Sequence, residues 1–184
     1  EPVPFTTQLL FGFCDQFVLK NIKKLLGLNN CRYALSGAAP ISPELIDWYL
    51  SIGLDMREGW GMTETAGIGT AFYSREIKKG CVGRAIDGSE VQIAKDGEIL
   101  FRGPGVFCGY LNKPEQTNET IIDGWLHTGD VGQLDNSGNL KITDRKKDII
   151  ITAGGKNISP SEIENELKFS AFISDAVAVS YTHL

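Results

Sequence analysis

The segment 58–65, EGWGMTET, concentrates side chains that suit a magnesium–nucleotide site. A flat base can stack on Trp60, Thr63 can donate a hydrogen bond to a phosphate oxygen, and the Glu64 carboxylate can bind Mg²⁺. Gly61, like the glycine before Trp60, leaves room for a ligand to approach the backbone. The alternative interpretation is a buried strand end with a packing Trp60 and a solvated Glu64, and the segment by itself favours neither.

Small residues follow a short apolar stretch at Gly37, Ala38 and Ala39. Side chains of this size at the end of a strand would let the edge of a purine touch backbone groups. A plain strand-to-helix turn has the same composition and is the alternative interpretation.

A compact motif, GWLHTGD, occupies residues 124–130. Its Asp130 carboxylate follows a glycine and can accept hydrogen bonds from both hydroxyls of a ribose. We interpret His127 as a structural or hydrogen-bonding histidine rather than a catalytic one, because no nucleophile stands beside it in the sequence.

A charged run at 144–148, DRKKD, precedes a glycine turn. The planar guanidinium of Arg145 can grip ribose or phosphate, although a run of charges is more often a solvated face. The turn at Gly154, Gly155 and Lys156 is not a Walker A loop, since the earlier glycine and the following Ser or Thr are missing. Its backbone N–H groups could still contact a phosphate-bearing arm.

The composition argues against several function classes. With 184 residues and a net charge of -5, the chain lacks the basic character that a nucleic-acid partner requires. No stretch approaches the roughly 18 apolar residues of a membrane-spanning helix. The four cysteines are far apart without a CxxC pair, which argues against zinc and favours reduced thiols in a cytosolic protein.

Residues 1–75 have the pattern of an α/β unit. A helix is predicted over 15–27, a strand over 31–35, a second helix from Ser42 to Gly53, and a strand over 54–58. This order, with a glycine-rich exit from each strand, predicts a parallel sheet that binds ligands at the carboxyl ends of its strands.

Two further units are predicted downstream. Residues 76–146 favour a small distorted antiparallel β-barrel, with hairpin turns at 95–97 and 135–138 and a short helix begun by Pro114. Residues 147–184 favour the incomplete start of a small α+β domain. It would contain a strand over 148–152, a helix from a capping box at Ser159 to about Phe169, and a strand over 176–180.

In their joint order, these motifs resemble the adenylate-forming superfamily of acyl-CoA synthetases, luciferases and peptide-synthetase adenylation domains. The resemblance covers about residues 20–178, and the run 144–160, DRKKDIIITAGGKNISP, is most similar to long-chain fatty acyl-CoA synthetases. The segment 97–104, GEILFRGP, with Gly109 and Tyr110 after it, matches the family's structural core motif.

The resemblance implies roles for particular residues. Gly37, Ala38 and Ala39 would line the adenine pocket, with Trp60 stacked on the base where the family more often has Tyr. Thr63 would contact the α-phosphate and Glu64 would bind Mg²⁺, while Asp130 and Arg145 would hold the ribose. Lys147 matches the hinge about which the small domain rotates, and the turn at Gly154, Gly155 and Lys156 would then swing towards the CoA arm.

The implied activity is that of a fatty acid–CoA ligase with ATP, Mg²⁺, a long-chain fatty acid and CoA. The cysteine pattern places the protein in the cytoplasm. Peripheral association with a membrane is compatible with the implied activity, because long-chain substrates partition into bilayers. A ligase for medium-chain or aryl acids is the first alternative. A non-catalytic nucleotide-binding scaffold is the second, although a scaffold needs none of Thr63, Glu64, Asp130 and Arg145.

The family's lysine-containing phosphate loop and its C-terminal lysine are both missing from the chain, which opens on EPVP without an initiator Met. We therefore expect an internal fragment that alone shows no acyl-dependent ATP–pyrophosphate exchange. The ending YTHL also departs from the family, which usually has a Gly-Asp-like turn there.

Overall fold

The computed structural model describes residues 4–73, 77–152, 154, 157–168, 170 and 172–179. Helices and strands are mixed along these ranges, as the α/β prediction requires. The helices are α1 Phe5–Cys14, α2 Lys20–Leu25, α3 Pro43–Ser51, α4 Pro114–Thr120 and α5 Pro160–Lys168. No helix in these ranges is both long enough and apolar enough to cross a membrane.

The first helical segment begins earlier than the predicted boundary at Asp15. A π-helical turn over Asp15–Leu19 joins α1 to α2, so the chain is helical from Phe5 to Leu25. Asp15 therefore lies inside a helix instead of capping one, and its carboxylate pairs with the Lys23 ammonium at 2.9 Å. The predicted end is confirmed, since the helix stops just before Gly27.

The first sheet has four strands in the order β1-β2-β3-β4. Strand β1 Ala34–Ser36 pairs in parallel with β2 Met56–Trp60, and α3 makes the connection between them. The short strands β3 Thr70–Ala71 and β4 Arg84–Ala85 extend the sheet in antiparallel fashion. The predicted strand–helix–strand order is thus confirmed, but only one pair of its strands is parallel.

The second sheet is antiparallel and has five strands. It comprises β5 Glu90–Ile93, β6 Glu98–Arg102, β7 Ile121–Ile122, β8 Trp125–Leu134 and β9 Leu140–Arg145. Both predicted hairpins are present, because β5 pairs with β6 and β8 pairs with β9. The helix predicted at Pro114 is α4.

Two predictions about the C-terminal part need correction. The strand expected over 148–152 is reduced to β10 Ile150–Ile151, which pairs with β11 Asn157–Ile158. The expected strand from Ala176 is not formed over 176–179. There the Ala178 N–H donates to a side chain, Glu164 Oε1, at 2.9 Å, instead of joining a neighbouring strand.

The start of α5 has the Ser159 half of the predicted capping box. The Ser159 hydroxyl accepts a hydrogen bond from the Glu162 N–H at 3.1 Å, and Pro160 stands where its missing N–H has no cost. The same hydroxyl donates to the Thr143 carbonyl at 3.0 Å, which fastens α5 to β9.

Two apolar cores hold the elements together. One lies between the sheets and contains Trp60, Ile99, Phe101, Leu126 and Leu140. The other, under α3, contains Ile46, Ile52, Leu54 and Met56. Strand β2 contributes Met56 at its start to one core and Trp60 at its end to the other, so both ends of the strand are fixed by packing.

Candidate functional site

A pocket of about 410 Å³ opens at the carboxyl ends of β1 and β2. Its walls come from the loop after β1, the end of β2, strands β8 and β9, and one face of α5. Seven of the predicted site residues line it: Gly37, Ala38, Ala39, Trp60, Gly61, Asp130 and Arg145. The parallel pair of strands therefore opens onto a cavity where the sequence predicted one.

Asp130 and Arg145 form the charged wall of this pocket. They lie opposite each other in the β8–β9 register, and Arg145 Nε is 2.8 Å from Asp130 Oδ1. The Asp130 side chain is 8% exposed, whereas that of Arg145 is 53% exposed. A buried carboxylate and a reachable guanidinium thus face the cavity as one unit.

Trp60 connects this pair to the core. Its indole N–H donates to Asp130 Oδ2 at 2.7 Å, and its ring lies edge-on to Phe101 with centroids 6.0 Å apart. Gly69 leaves space for the ring, because a Cβ there would lie 2.7 Å from Trp60 Cζ3. Trp60 is therefore a buried support of Asp130 as well as a pocket residue. The packing interpretation is confirmed for Trp60, and its stacking on a base stays a prediction.

The electrostatic state of Asp130 follows from its surroundings. Burial raises the pKa of its carboxyl above the ordinary value, although the Trp60 hydrogen bond and the Arg145 charge both act to lower it. Raised basicity makes the carboxylate a stronger acceptor for hydroxyl donors in the pocket.

The loop after β1 forms the small-residue wall. Ala38 has a left-handed backbone with φ 67°, and Gly37 lies close to β2, where a Cβ would come 3.1 Å from the Gly59 carbonyl oxygen. The loop therefore offers backbone groups, with little side chain, to anything bound in the cavity.

Glu58 is a pocket residue that the sequence reasoning did not propose. It is 8% exposed, and its Oε2 has no hydrogen-bond partner among the residues that the structure describes. Burial raises the pKa of this carboxyl, and a hydrogen bond from the Ile41 backbone only partly opposes the effect. The signal was available in the alternation of β2, since Glu58 shares the buried face with Met56 and Trp60.

Thr63 and Glu64 lie outside this pocket, in a 3-10 turn over Thr63–Thr65. Glu64 Oε1 accepts a hydrogen bond from the Tyr110 hydroxyl at 2.7 Å, and the Glu64 carbonyl accepts one from the Phe107 N–H at 2.9 Å. The turn is thus tied to the loop before α4. The sequence predicted only that Tyr110 belongs to a core motif, and its contact with Glu64 depends on the tertiary structure.

No group of three or more His, Cys, Asp or Glu residues suited to a metal lies within the described ranges. Glu64 is therefore a single carboxylate, which is compatible with Mg²⁺ because that ion keeps several waters and shares its remaining positions with phosphates.

The remaining predicted residues lie at the edge of the site or beyond it. Lys147 is exposed in the turn after β9, and Gly154 is exposed in the turn between β10 and β11. Gly155 and Lys156 fall outside the described residues. His127 contacts Glu98 Oε2 through Nδ1 at 3.1 Å, as its structural interpretation predicted.

Helix α5 supplies a wall that the sequence did not indicate. Ser161, Glu162, Asn165 and Glu166 line the pocket. Buried Asp144 holds the start of the helix, because its Oδ1 accepts a hydrogen bond from the Ser161 hydroxyl at 2.8 Å. Asp144, which precedes Arg145 in the sequence, thus anchors α5 over the pocket.

The fold and the pocket define an α/β protein with a cavity at the carboxyl ends of parallel strands, and comparison with known families specifies the class. Residues 9–111, more than half of the chain, match the AMP-binding enzyme family. The chain belongs to this family.

Similar curated proteins are fatty acid–CoA ligases. The chain is 44% identical over 165 residues to a long-chain-fatty-acid–CoA ligase of Mycobacterium bovis, covering 90% of the chain and 27% of that protein. It is 40% identical over 176 residues to one from Gallus gallus, covering 92% of the chain and 23% of that protein. The chain therefore spans about a quarter of the length of these relatives.

Solved structures of related enzymes share the fold. The o-succinylbenzoate CoA synthetase of Bacillus subtilis, in complex with its acyl-adenylate intermediate, matches with a TM-score of 0.74 and 32% identity. The match covers 82% of this chain and 34% of that one. The same enzyme in complex with ATP and magnesium matches with a TM-score of 0.67 and 34% identity, over 73% of this chain and 30% of that one.

Proposed function

We propose that this chain is the nucleotide-binding part of a fatty acid–CoA ligase, and that the pocket holds an adenine nucleotide. The observation that carries the proposal is the Asp130–Arg145 pair, which faces the small-residue loop Gly37–Ala39 across a cavity of about 410 Å³. The membership of the AMP-binding enzyme family and the names of the relatives support it.

In this proposal the ribose lies against Asp130 and Arg145. The buried carboxylate accepts hydrogen bonds from the ribose hydroxyls, and the guanidinium donates from the more exposed side. Trp60 keeps Asp130 in place through its N–H and borders the base, and backbone groups of residues 37–39 meet the purine edge.

Buried Glu58 gives the base a further polar partner. At the pocket wall, its Oε2 has no partner within the described part of the chain, and when ionised it can accept a hydrogen bond from an exocyclic amine. A hydrogen bond of this kind would remove the cost of leaving a buried polar atom unpaired.

The reaction has two balanced halves. A fatty carboxylate oxygen attacks the α-phosphorus of ATP, the bond to the β,γ-phosphates breaks, and acyl-adenylate and pyrophosphate form. The CoA sulfur then attacks the acyl carbonyl, loses its proton, and displaces AMP to give the thioester. Glu64 would hold Mg²⁺, which offsets charge on the phosphates, and Thr63 would donate to the α-phosphate. Between the two reaction steps the small domain would rotate about a hinge at Lys147, and the turn at 154–156 would then approach CoA.

Nucleotide binding by this chain tests the proposal. We expect AMP to bind with a measurable heat in isothermal titration calorimetry, and Arg145→Ala to weaken binding by about tenfold or more, since hydrogen bonds to charged groups contribute about 1.5–3 kcal/mol. Arg84→Ala is the matched control, because Arg84 is exposed on β4 away from the pocket. Absence of binding by the unsubstituted chain would overturn the nucleotide site.

The preference for the carboxylic acid substrate is tested separately, on the full-length protein that contains this chain. A long-chain ligase should turn over C16 acids faster than aryl acids. The reverse preference would favour the aryl-acid alternative, which the similarity to o-succinylbenzoate CoA synthetase supports.

A further inference from the structure

Strand β8 carries a bulge at the residues that build the charged wall. In the β6–β8 ladder Leu100 pairs with His127 and Glu98 pairs with Val131. Thr128, Gly129 and Asp130 therefore lie opposite the single residue Ile99. Gly129 adopts φ 71°, a left-handed conformation that suits glycine. Bulges of this kind redirect a side chain, here Asp130, at the cost of ladder hydrogen bonds.

The Glu98 side chain replaces a hydrogen bond that the bulge removes. Its Oε1 accepts from the Gly129 N–H at 3.0 Å, and its Oε2 accepts from the Lys146 ammonium at 2.9 Å. The side chain is only 7% exposed. The backbone completes the arrangement, since the Lys146 N–H donates to the Gly129 carbonyl at 2.8 Å.

Two of the partners of Glu98, Gly129 and Lys146, are the chain neighbours of the predicted ribose pair. Gly129 precedes Asp130 on β8, and Lys146 follows Arg145 on β9. The buried Glu98 carboxylate thus binds the residue next to Asp130 and the residue next to Arg145. Lys146 is also held at 2.7 Å by Asp96 in the β5–β6 turn, which fixes it from the exposed side.

We propose that Glu98 is a positioning residue for the nucleotide site: by holding Gly129 and Lys146 it keeps Asp130 and Arg145 at the spacing that accepts a ribose. The inference rests on the proposed function. Burial acts to raise the pKa of Glu98, but Lys146, His127 and the Gly129 N–H together bring it below the ordinary value, so Glu98 is charged at neutral pH. Glu98 touches no ligand and acts only through these neighbours.

The test compares AMP with 2′,3′-dideoxy-AMP, which lacks the hydroxyls that Asp130 would accept. Both affinities are measured by calorimetry on this chain and on Glu98→Gln. We expect the unsubstituted chain to prefer AMP by about tenfold or more. In Glu98→Gln that preference should fall several-fold through weaker AMP binding, while the affinity for the dideoxy nucleotide changes little. A merely structural role would weaken both nucleotides equally.

Two more variants complete the experiment. Glu90→Gln is the matched control, because it makes the same change on the neighbouring strand, where Glu90 is exposed and pairs only with Arg102 in the described contacts. Lys146→Met replaces Glu98→Gln as the test variant if Glu98→Gln does not fold. The Lys146 side chain is 47% exposed, and the substitution removes one of the partners of Glu98. We expect a reduced preference there too.

The outcomes separate the two proposals. An unchanged preference for AMP in Glu98→Gln overturns the positioning role but not the proposed nucleotide site. If Glu98→Gln does not fold, the same result in Lys146→Met has the same meaning. Failure of the unsubstituted chain to bind either nucleotide overturns the proposed function and this inference with it.

Discussion

At the scale of single residues, the candidate site is distinguished by buried carboxylates. Asp130, Glu98 and Glu58 all lie within or beside the pocket and are each less than a tenth exposed. They differ in their partners. Asp130 has Trp60 and Arg145, and Glu98 has a lysine, a histidine and a backbone N–H. Glu58 has one backbone hydrogen bond and, among the described residues, an oxygen without a partner. Glu58 is therefore the carboxylate whose charge has the least compensation.

This difference predicts a pH-dependent gain in stability for Glu58→Gln. A carboxyl whose pKa is raised by folding binds its proton more tightly in the folded state, so stability falls as pH rises from the unfolded value, about 4.3, through the folded value. Gln is neutral throughout. We expect Glu58→Gln to unfold a few degrees higher than the unsubstituted chain at pH 7 and at a similar temperature at pH 4.

Thermal melts by circular dichroism at both pH values measure this effect. Glu119→Gln, on the exposed face of α4, is the control and should show no gain on going from pH 4 to pH 7. An equal difference in Tm at both pH values would contradict the explanation by burial.

At the scale of elements, the site depends on close approaches of the backbone. Gly61 follows β2 and packs against the segment that leads into β3. A Cβ at Gly61 would overlap the Gly67 carbonyl oxygen and lie 2.6 Å from Ile68 Cα. Because these are backbone atoms, they cannot move aside as the end of a flexible side chain can.

Gly61→Ala should therefore destabilise the chain by about 3 kcal/mol, the upper part of the range for overpacked positions. Gly12→Ala makes the same chemical change within α1, where a Cβ would meet no atom within 4 Å. It should stabilise the helix by about 1 kcal/mol, since alanine is the better helix former. Urea denaturation distinguishes the two, and equal effects would contradict the steric argument.

At the scale of the whole molecule, the apolar surface of the first helix stands out. Phe5, Leu9, Phe13 and Phe17 recur every four residues and so share one face, and their exposures are 73%, 60%, 64% and 62%. None of the α1 residues is buried. Contiguous exposed apolar surface of this kind promotes association.

We expect this chain to self-associate through that face as its concentration rises. Light scattering after size exclusion should show a growing apparent mass, and the double variant Phe13→Gln, Phe17→Gln should suppress it. Leu111→Gln is the control, because Leu111 is 87% exposed but lies in a loop away from the helix. A constant monomer mass for the unsubstituted chain would contradict this prediction.

The sequence by itself determined the elements that depend on local signals. Hairpin turns, the Pro-initiated helices α3 and α4, and the capping box of α5 were all predicted, because glycine, proline and capping residues act within a few positions. The motif residues that line the pocket were also identified in advance. The N-terminal limit of the first helix was wrong, since an acidic residue that could cap a helix can equally pair with a lysine inside one.

Only the tertiary structure decided what depends on contacts between distant residues. The Trp60–Asp130 hydrogen bond joins positions 70 residues apart, and Glu98 reaches Gly129 and Lys146 across separate strands. The strand expected from Ala176 was not formed over the described residues 176–179, because a strand requires a neighbour to pair with. Local patterns fix which residues are available, and long-range packing fixes which of them meet.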